Sequence, residues 1–262
     1  MEKVKVFLSD PQVLFREGIH FILSGEDDFE VIGETTSNEE AFTHLEANPP
    51  NIAVLSMHNG KYDGPEITRR IKRSLPSVSV ILTMDKSDEE QLFAAMRSGA
   101  TACLTKDADP EFLLDIIREV AEGRQPMIDN LLISRVASMA IIEFEDIATL
   151  NKQLDNLLAN LAPRESEILS SIAAGNAIEE VAAKLGINED TVRSQLKSVL
   201  SKMVANDQAR VLIEASQRSL PSILSGAVKM KGVAGEYVTK AEFNEFKDNL
   251  MERLKSFIGE LK

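Results

Sequence analysis

Five short apolar runs alternate with amphipathic segments over the first 122 residues, and this alternation limits the possible folds more than any other feature. The apolar runs span 4–9, 29–34, 52–56, 78–83 and 102–105, and the amphipathic segments span 12–24, 38–47, 64–74, 88–98 and 109–122. Repeated strand–helix units of this kind build a parallel sheet with helices on both faces. We therefore predict an α/β domain over residues 1–124, with a doubly wound five-stranded parallel sheet.

The rest of the chain is typical of helices. We predict a linker helix over 125–160, an all-α domain over 161–217, a flexible linker over 218–238 and a C-terminal amphipathic helix over 239–262. Pro163 stands at a first-turn position, and Gly175 and Gly186 stand where helices stop. Pro221 and the glycines that follow it indicate the flexible linker, and Thr239 begins a capping box.

Two apolar stripes on the predicted helices indicate self-association. The linker stripe steps by three and four residues, as in a short coiled-coil seam, and consists of Ile147, Leu150, Leu154, Leu157 and Leu161. The C-terminal stripe consists of Phe243, Phe246, Leu250, Leu254, Phe257 and Leu261. We interpret both as contacts of a homo-oligomer, at least a dimer. The alternatives are a linker helix that packs on its own N-terminal domain, and a C-terminal helix that docks on another protein or on its own core.

Charge and composition limit the classes of partner. Residues 1–159 hold 15 basic and 28 acidic side chains, whereas the net charge is −1 over 160–218 and +1 over 219–262. An acidic chain is repelled by nucleic-acid phosphates unless its basic groups cluster on one face. No apolar run of 18 residues and no signal-peptide-like start is present, so we expect a cytoplasmic protein that does not associate with a membrane.

Cysteine and histidine usage argues against a metal or redox centre. The single Cys103 excludes an internal disulfide. We interpret it as a small core residue, with a redox sensor as the alternative. The three histidines show no metal-ligand spacing, and His58 is interpreted as a solvated loop residue. We therefore expect no metal and no cofactor. We also expect that the protein is not an enzyme, since no nucleophile–base pair or phosphate-cradling glycine loop is present.

Two stretches carry motifs of known bacterial families. The motifs DPQVLFREGI (10–19), GETTSNEEAF (33–42) and RSGATACLTKD (97–107), with the Asp-Gly pair at 63–64, resemble a response-regulator receiver domain over 3–122. The segment LAPRESEILSSIAAGNAIEEVAAKLGINEDTVRSQLKSVLSKM (161–203) resembles the LuxR/NarL-type helix-turn-helix over 161–217. The tail from about residue 218 has no counterpart in that two-domain plan. The resemblance is thus to a response regulator of the LuxR/NarL/FixJ family.

The receiver resemblance implies a pocket in which key acids are replaced. A receiver of this family uses an aspartate at the end of its third strand as the phosphoryl acceptor, and two acids after its first strand that help hold Mg²⁺. In this sequence Ser56 occupies the acceptor position and Ser9 the first acid position, so only Asp10 remains. Thr83 and Lys106 match the positions that bind phosphoryl oxygens.

These replacements predict a degenerate receiver, or pseudo-receiver. A serine hydroxyl is essentially un-ionised near neutral pH, and apart from Asp10 no acid remains beside it to act as a base. We interpret Ser56 as filling the space of a carboxylate, with a kinase-modified serine as the alternative. Lys106 is then available to pair with Asp10 and to hold the domain in one state.

The helix-turn-helix resemblance implies recognition of double-stranded DNA. The helix from about Glu189 to Met203 would enter the major groove with its first turns near the base edges. The predicted DNA-binding residues are Arg193, Ser194, Gln195, Lys197 and Lys202. Ala162 and Ala177 replace polar residues of the family's helix starts, which weakens the expected phosphate contacts.

The sequence thus predicts an atypical LuxR-type transcription regulator that acts independently of phosphorylation. As a dimer it would bind an inverted repeat, and an upstream sensor protein is a possible partner. The alternative is an oligomeric signalling or assembly protein that does not bind DNA and uses the same parts for protein–protein contacts.

Overall fold

A five-stranded parallel sheet forms the centre of the N-terminal domain. The computed structural model describes residues 3–58, 63–151 and 158–228, and it describes side chains through Ile213. The strand order is β2-β1-β3-β4-β5, and every neighbouring pair is parallel. The strands are β1 (Val4–Ser9), β2 (Phe29–Thr35), β3 (Ile52–Ser56), β4 (Ser79–Met84) and β5 (Ala102–Thr105).

Helices cover both faces of this sheet. The first five are α1 (Val13–Ser24), α2 (Asn38–Ala47), α3 (Gly64–Ser74), α4 (Glu89–Ser98) and α5 (Pro110–Ala121). Buried side chains of α1 and α5 form one core with the sheet, and those of α2, α3 and α4 form a second core on the opposite face. The predicted doubly wound α/β fold is confirmed.

A helical domain follows the sheet domain. A 3-10 helix (Pro126–Leu132) leads into α6 (Ser134–Asn151), α7 (Pro163–Ala173), α8 (Ile178–Leu185) and α9 (Glu189–Val228). The hydrophobic cluster on the α2–α3–α4 side of the sheet is continuous with the core of these helices. The α4 helix contacts both α6 and α9. The two domains therefore share one apolar core.

The flexible linker predicted from residue 218 is replaced by helix as far as the chain is described. The α9 helix continues through Val228 and so includes Pro221 and Gly226. Helix-forming residues precede Pro221 over several turns, and they extend α9 past Pro221 and Gly226. The remainder of the predicted linker and the C-terminal amphipathic helix lie outside the described residues.

The described residues of the linker stripe pack against the chain's own core. Ile147 is fully buried among the chain's own core residues, and Leu150 and Leu161 pack against the same cluster. A side chain without exposed surface in a single chain cannot form a dimer seam, so Ile147 is corrected from an oligomer contact to a core residue. This outcome is the alternative of a linker helix that packs on its own domain. Leu154 and Leu157, and all six residues of the C-terminal stripe, lie outside the described residues.

Within the described part of the chain, no helix is both long enough and apolar enough to cross a membrane.

Candidate regulatory pocket and nucleic-acid interface

A lysine–aspartate pair occupies the pocket at the carboxyl ends of β1, β3 and β5. The Asp10 side chain is buried, and its Oδ2 lies 2.9 Å from the Lys106 Nζ. Its Oδ1 accepts a hydrogen bond from the Gln12 backbone N–H at 2.8 Å, and the Thr83 hydroxyl lies 3.5 Å from Oδ2. Lys106 Nζ also lies 3.3 Å from an Asp85 oxygen. The carboxylate that remains in the pocket is therefore neutralised by the chain's own lysine.

The two serines of the pocket make neutral hydrogen bonds. The buried Ser56 hydroxyl donates to the His58 carbonyl at 3.2 Å, and the Asn38 amide donates to the Ser56 carbonyl at 3.0 Å. The Ser9 hydroxyl donates to the Asn38 Oδ1 at 3.1 Å and accepts from Thr35 at 3.2 Å. Both serines are thus fixed by local partners.

This set of side chains does not fit Mg²⁺. The ion prefers several oxygen ligands with net negative charge. Asp10, the buried carboxylate of the pocket, is paired with Lys106, and the exposed Asp85 lies beside the same lysine. Among the described residues, no group of His, Cys, Asp or Glu has the arrangement of a metal site.

Cys103 lies in β5 and behaves as a core residue. Burial raises the pKa of its thiol to about 12, while a hydrogen bond with the Leu104 backbone acts in the opposite direction. A thiol that stays protonated at neutral pH is a poor nucleophile, which argues against a redox sensor.

The first turns of α9 present only part of the predicted DNA-binding set to solvent. Ser194 and Lys197 are exposed, and Gln195 is half-buried. Arg193 forms an ion pair with Asp129 of the 3-10 helix, and its side chain is 43% exposed. The guanidinium that would face a base is therefore held by a carboxylate of the linker region in this arrangement.

Lys202 is held inside the helical domain. Its Nζ lies 2.6 Å from an oxygen of Glu165, a buried residue in the first turn of α7. Glu165 also accepts hydrogen bonds from the Ser198 hydroxyl and the Ala162 backbone N–H, each at 2.7 Å. Lys202 therefore compensates a buried carboxylate, and its contact with phosphate stays a prediction.

Glu165 gives this cluster a defined dependence on pH. Burial alone would raise the pKa of its carboxyl, but the hydrogen bonds from Lys202, Ala162 and Ser198 outweigh burial and lower the pKa below 4.5. A group with a lowered folded-state pKa stabilises the fold above its unfolded pKa, and this contribution is lost as pH falls through the folded pKa.

Replacing Glu165 by glutamine is expected to destabilise the protein by about 2 kcal/mol at neutral pH, because the Lys202 charge loses its partner. The expected difference from wild type shrinks as pH falls through the folded pKa of Glu165. Urea unfolding at neutral and acidic pH measures both effects. Glu167→Gln, on the exposed side of α7, is the matched control and should behave as wild type. A constant difference at all pH values would contradict this role of Glu165.

An ion network that sequence reasoning missed connects the sheet domain to α9. The buried Asp207 of α9 binds Arg69 of α3, with Nε to Oδ2 at 2.5 Å, and Arg97 of α4, with Nη2 to Oδ1 at 2.9 Å. Glu143 of α6 joins Arg97 at 3.3 Å and Arg210 of α9 at 2.7 Å. We call these five residues the interdomain network. Since its members are separated by as many as 141 positions, no local motif could have indicated it.

An exposed apolar stripe on α1 was also missed. Leu14 and Phe21 are 89% and 82% exposed, and Gly18 lies between them on the same helical face. The spacing of four and three residues places the three on one stripe. A Cβ built on Gly18 would meet no atom within 4 Å, so the centre of the stripe is open.

Known proteins resemble both parts of the chain. Residues 6–118 match the family described as response regulator receiver domain, and residues 159–215 match bacterial regulatory proteins, luxR family. The uncharacterized transcriptional regulatory protein YxjL of Bacillus subtilis is 27% identical over 219 residues, which cover 84% of this chain and 98% of YxjL. The transcriptional regulatory protein DegU of Brevibacillus brevis is 28% identical over 235 residues, which cover 87% of this chain and 97% of DegU.

A solved structure also resembles the N-terminal part. The signal receiver domain of the putative response regulator NarL from Mycobacterium tuberculosis is 27% identical, covers 47% of this chain and 100% of its own, and superimposes with a TM-score of 0.46.

The two family matches together span more than half of the sequence, in the order receiver and then luxR-family domain. The chain belongs to the LuxR-type response regulators.

Proposed function

We propose that this response regulator is a transcription regulator that binds an inverted repeat in double-stranded DNA as a homodimer, and that it does so without phosphorylation of its receiver domain. The observation that carries the proposal is the Asp10–Lys106 pair beside Ser56. Aspartyl phosphorylation requires a carboxylate nucleophile and a divalent cation, and this pocket supplies neither in a usable form.

The same pair supports a receiver held in one state. Phosphoryl oxygens would have to compete with Asp10 for the Lys106 ammonium, and the exposed Asp85 also lies within ion-pair distance of that ammonium. The input to this regulator therefore differs from phosphoryl transfer, and we propose an upstream sensor protein or a bound ligand as its source.

DNA binding is supported by the exposed face of α9. Ser194 and Lys197 lie on the first turns of that helix and face solvent, where base edges and phosphates are reached in this class of motif. Arg193 joins them once it leaves Asp129. A dimer would present two copies of this small positive surface, which offsets the acidity of the chain.

The test is enrichment of genomic fragments by the purified full-length protein in the absence of a phosphoryl donor. The proposal predicts a short inverted repeat that a variant with Arg193→Ala and Lys197→Ala fails to enrich. If a folded, oligomeric sample enriches no sequence at low salt, the proposal is overturned in favour of a protein-binding assembly role.

We further propose that the α1 stripe of Leu14, Gly18 and Phe21 joins the two copies. Packed against itself around a two-fold axis, the stripe places each Phe21 against the partner's Leu14, and Gly18 lets the helices approach closely. Such a contact is self-complementary, as closed dimers require.

Phe21→Asp is expected to weaken the dimer about tenfold or more, because burial of a phenylalanine contributes about 1.5–3 kcal/mol and the charge would be desolvated. Sedimentation over a concentration series measures the dissociation constant. Ile142→Asp is the matched control, since Ile142 is 58% exposed on α6, away from the stripe. Equal weakening by both substitutions would contradict an α1 interface.

A further inference from the structure

An open cavity of about 860 Å³ lies between the sheet domain and α9. Three arginines of α3 form much of its wall, Gln91 of α4 adds an amide, and Val211 closes the α9 side. His58 lies at the end next to β3. Ligand sites of proteins commonly measure about 300–1,000 Å³, so the cavity has the size of a site for a small molecule.

The wall concentrates positive charge within an acidic domain. Arg69, Arg70 and Arg73 fall within five residues of one helix. Among the described residues, neither Arg70 nor Arg73 forms an ion pair, and Arg70 stacks over the Phe42 ring with its guanidinium carbon 3.7 Å from the ring centroid. That stacking holds the guanidinium plane in place. Two arginines without carboxylate partners at the edge of a cavity are arranged to receive an anion.

Two acids also belong to the wall, and among the described residues neither forms an ion pair with the three arginines. Asp63 is the N-cap of α3, and Glu66 belongs to its first turn. Arg69, Arg70 and Arg73 belong to the turns that follow. The wall thus holds three arginines against two acids, and Arg69 also reaches Asp207 of α9.

We propose that this cavity binds a small organic polyanion, carrying at least two phosphate or carboxylate charges, which takes Arg69 from Asp207 and so loosens α9 from the sheet domain. Arg70 and Arg73 bind one anionic group, and Arg69 binds the second. Asp207 loses one of its two guanidinium partners and keeps Arg97. The inference rests on the proposed function, since it supplies an input to a regulator that lacks a phosphoryl acceptor.

Coupling between this cavity and α9 must act in both directions. If the anion weakens the Arg69–Asp207 pair, a change that removes the Asp207 charge must strengthen anion binding, because linkage between two sites is reciprocal. Asp207 is not part of the cavity wall. Its substitution therefore reports on coupling and not on lost contacts.

Isothermal titration of the full-length protein with pyrophosphate, at constant ionic strength, tests the proposal without DNA. We expect saturable binding of one anion per chain, weakened about tenfold or more by Arg70→Ala with Arg73→Ala. A control with Lys86→Ala and Arg124→Ala, which removes the same charge from exposed positions outside the cavity, should bind as wild type. Asp207→Asn should bind about fivefold more tightly.

Three results would overturn the proposal: no saturable binding at millimolar pyrophosphate, equal weakening in the arginine variant and its control, or unchanged affinity in Asp207→Asn. The arginine positions are exposed, so that variant should fold, and its circular dichroism spectrum and thermal unfolding confirm this. The titration contains no DNA, so a negative titration does not change the result of the DNA-enrichment test. A negative DNA-enrichment test likewise does not change the meaning of the pyrophosphate titration.

Discussion

Replacing Arg193 and Lys197 by alanine is expected to remove sequence-specific DNA binding while leaving the fold intact. Arginine and lysine contacts with guanine contribute about 1–3 kcal/mol of discrimination each, and a dimer has two copies of each contact. The expected loss of affinity for the selected repeat is on the order of a thousandfold. Fluorescence anisotropy with a labelled duplex measures it.

The control for that variant removes equal charge elsewhere. Lys86→Ala with Arg124→Ala changes the net charge by the same amount, but on the sheet domain. It should lower the affinity for DNA only slightly, through the long-range electrostatic potential of the protein. If both double variants lose affinity equally, the contacts are non-specific, and α9 does not recognise sequence.

Asp129→Ala should raise the affinity for DNA, whereas Arg193→Ala should lower it. It releases the Arg193 guanidinium from the 3-10 helix, so the side chain is available to the major groove without breaking an ion pair. Tighter binding to the same duplex is expected. Unchanged affinity would mean that the Arg193–Asp129 pair does not limit access to DNA.

Asp207→Ala is expected to give the largest loss of stability. The buried carboxylate compensates Arg69 and Arg97 from two helices of the sheet domain, and removal of one partner from a buried ion cluster costs about 3 kcal/mol or more. Urea unfolding measures this loss. Hydrogen exchange should rise along α4 and α9, because these helices lose the contact that joins them.

The matched control for Asp207 is Glu26→Ala, which breaks a more exposed ion pair with Arg118. Exposed pairs contribute about 1 kcal/mol or less, so the two variants should differ clearly. Equal stability of both would show that the interdomain network contributes little to the packing of α9 on the sheet domain.

Much of the fold could be predicted because its signals are local. Alternating apolar and amphipathic runs predicted all five strands and the helices around them. A buried central strand is a short run of consecutive apolar residues, so its signal is contained in a few neighbouring positions. The resemblance to a receiver domain predicts that Asp10 and Lys106 lie in one pocket, and the structure pairs them.

Other features depended on contacts between distant residues. The periodicity of Ile147 and Leu150 fits a dimer seam as well as an intramolecular contact, and only the packing of α6 decides that they face the chain's own core. Lys202 carries the charge of a phosphate contact, yet its partner Glu165 lies 37 positions away on another helix. A hydrophobic or charge pattern gives the face of a helix, but the residues opposite that face come from tertiary structure.

DNA binding that does not depend on phosphorylation of the receiver is tested most directly by the affinity for the selected repeat with and without acetyl phosphate and Mg²⁺. Intact-mass analysis of the same samples detects any phosphoryl adduct. Phosphorylation-independent binding predicts equal dissociation constants and no acid-labile adduct. Tighter DNA binding accompanied by such an adduct on a receiver residue would contradict it.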